Sequence, residues 1–272
     1  MTDSAKKVVL VTGASSGIGK ACAEHLLARG FRVFGTQRRP PAQPAGGVEM
    51  VAMDVDDDAS VSRGVAAVAE RAGRIDAVIN NAGNAVMGAV EDTSIDEAKA
   101  QLETNFFGVL RVCRAVLPIM RNQSGGHIVN ISSLAAVIGL PFSGLYSASK
   151  FALEGMSESL RWETRRFGIH VVLVEPGDFD TALPSLRRTV RAAENDETYR
   201  AAFARFKAQQ EKDEASAPTP EPVARLIEQI LSDPNPRMRY SVGKIDQRIV
   251  IPAKRILPQR VFEWVLGRVM GL

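Results

Sequence analysis

Six short runs of β-branched and aliphatic residues punctuate the first two-thirds of the chain: Val8–Thr12, Arg32–Thr36, Val48–Met53, Asp76–Asn80, His127–Ser132 and His170–Pro176. Within each run the apolar residues follow one another and do not alternate with polar ones. That is the pattern of parallel strands covered on both faces. Segments of helical periodicity separate the runs, at Ile18–Ala28, Ala59–Ala72, Ile95–Met120 and Ala148–Phe167. The alternation predicts an α/β fold, a doubly wound parallel sheet of about seven strands in one domain over residues 1–272. After Pro176 the rhythm breaks. Residues 183–222 are highly charged and end in "APTPEP", and "YRAAFARF" puts Tyr199, Phe203 and Phe206 on one helical face. Two readings stand for this insert: a lid over a substrate pocket, or a surface helix packed on the body. A helix over Val223–Ser232 follows, then a C-terminal extension over 237–272 that opens with a strand at Arg237–Val242.

Composition narrows the classes. The chain is 45% apolar and 24% charged, as in ordinary globular proteins. Lys plus Arg exceeds Asp plus Glu by only three, which argues against a nucleic-acid partner. Cys22 and Cys113 fall inside apolar helical patterns and read as buried, reduced thiols. His25, His127 and His170 show no ligand spacing, so no metal site is expected. The N-terminus carries no signal-like apolar region, and no run reaches the ~18 apolar residues of a membrane span; the expectation is a cytoplasmic protein. The segment Arg237–Leu272 has eight Lys/Arg and two acids, and its "RVFEWVLGRVM" lines up Val261, Phe262, Trp264, Val265, Leu266, Val269 and Met270. Peripheral membrane contact is one reading. Packing against the pocket or a sister subunit is preferred, because the apolar stretch is short.

Candidate chemistry begins at "TGASSGIG" (Thr12–Gly19), between the first strand and the first helix. Gly13, Gly17 and Gly19 permit a tight turn, close approach of backbone to a pyrophosphate and close helix–strand packing; the helix N-terminus then faces the anion. In "YSASK", Tyr146 and Lys150 stand one helical turn apart.

Seven blocks in order resemble the short-chain dehydrogenase/reductase family: "TGASSGIG", Asp54–Val55, "NNAG" at Asn80–Gly83, Asn105 in "ETNFFG", "ISS" at 131–133, "YSASK" and "PGDFDT" at 176–181. The resemblance implies a Rossmann-type fold and carbonyl/alcohol redox chemistry with a nicotinamide nucleotide. It implies Tyr146 as acid/base, with Lys150 lowering the phenol pKa by about two units through space and reaching the nicotinamide ribose. Ser133, preferred over Ser132, would bind the substrate oxygen, and Asn105 would hold a relay water for Lys150. Gly13, Ser15, Ser16, Gly17, Ile18 and Gly19 would cradle the phosphates, and Asp54 and Val55 the adenine. Asn81, Ala82, Gly83, Pro176, Gly177 and Thr181 would lie about the nicotinamide end. Asp56–Asp58 read as helix N-terminal acids, and Asp178 and Asp180 as solvated loop acids.

The second strand ends in Gln37, Arg38 and Arg39, with no acid to accept ribose hydroxyls. Cations there match a 2′-phosphate, so NADP(H) is preferred over NAD(H). Val137, Ile138, Leu140 and Leu145, with Met87, Phe179 and Leu183, are candidate walls of an apolar pocket. Similarity of "YSASKFALEGMSESLRWE" to the steroid and retinol dehydrogenase branch points to a lipophilic substrate. A 3-oxoacyl or small-ketone reductase, or a non-catalytic NADP-binding regulator, are the alternatives. A homodimer or homotetramer through the helices at Ile95–Met120 and Ala148–Phe167 is expected, as in relatives.

Overall fold

The computed structural model describes residues 6–40, 47–181, 187–194 and 196–270. Strands β1 (Val8–Val11), β2 (Arg32–Gln37), β3 (Glu49–Ala52), β4 (Ala77–Asn80), β6 (Gly126–Ile131), β7 (Ile169–Pro176) and β9 (Arg239–Val242) form one parallel sheet in the order β3-β2-β1-β4-β6-β7-β9. The expected strands are all present, within a residue or two at their ends. A second, two-stranded sheet pairs β5 (Ala85–Met87) with β8 (Arg187–Thr189). It was not expected, because neither segment is long or apolar enough to read as a strand.

Successive residues of the central strands serve opposite layers. Val8 and Leu10 point into a cluster with Val61, Val65 and Val68 of α2 (Asp58–Ala72), Val112 and Val116 of α4 (Gly108–Asn122), and Leu153 of α5 (Gly144–Thr164). Val9 and Val11 point the other way, into Cys22 and Leu26 of α1 (Gly17–Ala28) and Ile227 and Ile230 of α7 (Glu221–Ser232). This two-sided burial is why the strands read as unbroken apolar runs. Both cysteines are fully buried free thiols, and burial pushes each pKa up to about 12.

The helix expected over Ile95–Met120 is three pieces: α3 (Ile95–Leu102), a π-helical turn at Glu103–Phe107, and α4. Asn105 sits in the π turn, where the wider ladder turns its side chain inward. Beyond the sheet, α6 (Arg200–Ala215) follows β8. Three short helices, α8 (Ile245–Arg248), α9 (Val250–Ile256) and α10 (Gln259–Val269), follow β9. Strand order reverses between β1 and β4, so the crevice at their carboxyl ends is where a ligand fits.

Candidate active site

The glycine turn leaves β1 with Gly13 at φ +65° and Gly17 at φ +54°, backbone that a side chain would strain. A Cβ on Gly19 would fall 2.3 Å from the Gly13 carbonyl oxygen and 2.4 Å from Asn81 Nδ2. Ser16 caps α1 without a side-chain hydrogen bond, which leaves first-turn N–H groups open to an anion. Thr12 Oγ1 accepts from the amides of Asn81 (2.9 Å) and Ala82 (3.0 Å), and Asn81 Nδ2 donates to the Thr12 carbonyl at 3.0 Å. These bonds lock the glycine turn to the Asn81–Gly83 turn, so the donor set and the close backbone fit a dinucleotide. Thr12 does this positioning without having been singled out; its place in the glycine motif was the available signal.

Around this cradle, Arg38 and Arg39 stand exposed past the end of β2 and form no ion pair among the described residues. The Asp54 amide donates to Ser60 Oγ at 3.0 Å, and Val55 is buried against Gly108. Asp57 caps α2, as expected of the acids there. The Gly177 amide donates to the Val242 carbonyl at 2.8 Å, which fixes the Pro176–Gly177 turn against β9. Thr181 closes this loop, half-buried.

Tyr146 and Lys150 share one stripe of α5, with the Lys150 Nζ 5.8 Å from the centre of the Tyr146 ring. The ammonium is buried and donates to the Ile131 carbonyl at the end of β6, at 2.9 Å. Burial pushes its pKa down to about 8, with the Glu154 carboxylate opposing. Ser133 lies past β6, where its Oγ accepts from the Ala135 amide at 3.1 Å and lies in hydrogen-bond reach of the Tyr146 phenol. Neighbouring Ser132 is buried, its hydroxyl without a partner.

Three expectations need correction here, and Asn105 shows a second role. Burial raises the Tyr146 pKa, against the Ser133 hydrogen bond; Asp178 adds to the rise and Arg187 opposes it. Lys150 does not reverse this in the chain itself, because the ammonium is desolvated and spent on Ile131. The Asn105 side chain is engaged within the chain. Nδ2 donates to the Asn84 carbonyl (3.0 Å) and Ser149 Oγ (3.1 Å), and Oδ1 accepts from the Asn84 amide (3.0 Å). Its visible work is to pin the π turn to α5 beside Lys150. Asp178 is no solvated acid: Gln247 of α8 donates to its carboxylate at 2.5 Å, and burial raises its pKa. Asp180 is exposed, as read. Phe179 is core, packed in the layer beneath α1 and α7, and not a pocket wall.

The other candidate walls divide. Leu140, whose amide donates to Ser147 Oγ at 3.1 Å, and Leu145, which precedes Tyr146 on α5, are half-buried; Met87 and Ile138 are buried; Leu183 lies outside the described residues. Val137 borders a cavity of about 540 Å³ behind α5, shared with Phe151, Glu154, Glu175 and Arg239. There the Arg239 guanidinium sits 2.8 Å from Glu154 and 3.5 Å from Glu175. Burial and the nearby Glu154 still push Glu175 up to about 7. The aromatic stripe of α6 covers the segment before Tyr146. Phe142, at φ +54°, meets the rings of Tyr199 (6.3 Å), Phe203 (5.4 Å) and Phe206 (5.7 Å).

Comparison with known proteins agrees with this geometry. Residues 7–192 match the short chain dehydrogenase family. The chain is 40% identical over 260 residues to the 3-ketodihydrosphingosine reductase of Bacteroides thetaiotaomicron, covering 96% of each. It is 36% identical over 260 residues to human 17-beta-hydroxysteroid dehydrogenase type 1, covering 87% of this chain and 77% of that one. A short chain dehydrogenase/reductase of Burkholderia phymatum, solved in complex with NAD, superposes with a TM-score of 0.79 at 25% identity, over 97% of this chain and 96% of that one. The chain belongs to the short-chain dehydrogenase/reductase family, near its steroid dehydrogenase branch, a family that binds nicotinamide cofactors.

Proposed function

We propose that this chain interconverts a ketone or aldehyde and an alcohol on a lipophilic substrate, using NADP(H). The observation that carries the reading is the convergence of Ser133, Tyr146 and Lys150 at the carboxyl end of β6, beside the glycine cradle. When bound, the nucleotide supplies or accepts the hydride, and its oxidised ring adds positive charge at that place. Tyr146 gives the proton to the carbonyl oxygen or takes it back, and Ser133 orients that oxygen. The raised phenol pKa keeps Tyr146 protonated, the form that donates. Lys150 contributes its positive charge beside the phenol, and Asn105 holds α5 in register.

Support for the lipophilic substrate is twofold. Leu140, Leu145 and the Phe142 cluster present apolar surface next to Tyr146, and the relatives are named for a ketodihydrosphingosine and a hydroxysteroid. NADP(H) is favoured by the two unpaired guanidiniums after β2 and the absence of an acid there. The α6 segment acts as the substrate lid, and exposed Phe107, Phe151 and Trp162 on and beside α4 and α5 form a homo-oligomer contact. A panel of long-chain 3-keto amines, steroids, retinoids and small ketones, run with NADPH and NADH, tests the whole. A higher kcat/KM with NADPH on an apolar ketone is expected. Unchanged turnover in Tyr146→Phe would overturn the mechanism, and a preference for NADH would overturn the cofactor choice.

A further inference from the structure

The C-terminal helices were expected to pack against the pocket or a sister subunit; within the chain they touch the body at a few points and leave most of their apolar side chains exposed. Of α10, Phe262 alone is fully buried, while Val261, Trp264, Val265 and Val269 are 44%, 62%, 40% and 64% exposed. These four recur at helical spacing and form one stripe, with the buried Phe262 at its edge. Ile245, Ile249 and Ile256 on the preceding turns are also exposed. Cations surround the apolar groups: Arg248, Lys254, Arg255, Arg260 and Arg268 against Asp246 and Glu263. The eight Lys/Arg and two acids from Arg237 onward exceed the whole chain's surplus of +3, so the remaining residues are net acidic.

We infer that α8–α10 form a docking face for an anionic lipid bilayer. Charge selects this occupant over a second copy. Two such faces meeting would bring like cations together, whereas acidic headgroups offset them. Trp264, with Arg268 stacked 5.0 Å from its ring, suits the boundary between headgroups and acyl chains. No helix among the described residues is long and apolar enough to cross a membrane, so the contact is peripheral. The face also adjoins the cleft. Gln247 of α8 bonds Asp178, Lys244 donates to Ser216 at the end of α6 at 3.0 Å, and Lys254 of α9 donates to the Val137 carbonyl. An apolar substrate would then pass between bilayer and active site beside α6.

Sedimentation with vesicles of phosphatidylcholine, alone or with about a third phosphatidylglycerol, tests this without substrate or cofactor. The full chain is expected to pellet with the anionic vesicles at low salt, and less as salt rises. In a Trp162→Phe background the Trp264 emission is expected to shift to the blue on binding. Trp264→Asp with Val265→Asp is expected to abolish pelleting, and Arg260→Glu with Arg268→Glu to weaken it at least about tenfold. These side chains are exposed and outside the proposed catalytic machinery, so unfolding temperature and turnover of a water-soluble ketone are expected to hold. The proposal is overturned by a chain that stays in the supernatant with anionic vesicles. Pelleting by the Trp264→Asp/Val265→Asp variant overturns it too. So does a variant that fails to bind only because a dimer, seen by light scattering, has fallen to monomer. None of these outcomes depends on which carbonyl is reduced.

Discussion

The Lys150 ammonium reaches past the Tyr146 ring, 5.8 Å from its centre, to bond the carbonyl of Ile131 at 2.9 Å. The cation is therefore held by the sheet as well as by the helix that bears it. With burial pushing its pKa down to about 8, it is charged below that pH and neutral above it. In the direction of carbonyl reduction, kcat/KM is expected to fall as pH rises through about 8. Glu154 holds the value up, so Glu154→Gln is expected to move the break to lower pH. A profile that keeps its position in Glu154→Gln removes the coupling.

Gly19 bears on nucleotide binding directly. The Cβ in Gly19→Ala would meet the Gly13 carbonyl oxygen at 2.3 Å and Asn81 Nδ2 at 2.4 Å, so the turn must open. Titration calorimetry is expected to show nucleotide affinity reduced at least about tenfold, ~1.4 kcal/mol. An unfolding temperature near wild type would show that the effect is local.

Phe203 is expected to separate substrate handling from chemistry. Its ring packs 5.4 Å from that of Phe142, which is held at φ +54° four residues before Tyr146. In Phe203→Ala the segment loses part of what holds that strained backbone. KM for apolar ketones is expected to rise several-fold, with kcat for a small ketone little changed. An equal loss on both substrates would show that α6 acts on the fold and not on the pocket.

His127 is expected to set part of the acid sensitivity. Burial, then the His170 ring stacked 5.2 Å away, push its pKa from 6.5 down to about 4. The folded chain thus holds it neutral while the unfolded chain protonates it. Its contribution is present above pH 6.5 and is lost as pH falls through about 4. Denaturant unfolding across that window is expected to show a flatter decline in His127→Phe. The same slope in both would assign the loss to other groups.

The fold was legible because each central strand is covered on two faces, which writes itself into consecutive residues such as Val8–Val11. Local chemistry was equally readable: Gly13, Gly17 and Gly19 answer to backbone geometry, and Tyr146 and Lys150 to helical spacing. What a group's surroundings do to it was not. Asp178 looked solvated until α8, some seventy residues on, brought Gln247 against it. Phe179 looked like a pocket wall until α7 closed over it. The Tyr146 pKa was expected to fall because one neighbour in sequence is a cation, yet it rises because burial sums over every atom nearby. Sequence by itself determined the strands of the main sheet, most of the helices and their order, and it proposed the reacting groups, since those readings depend on periodicity and on residue type. Tertiary structure decided which groups are desolvated, which are already hydrogen-bonded and which apolar helix face is left uncovered. Those properties arise only when segments distant in the chain meet.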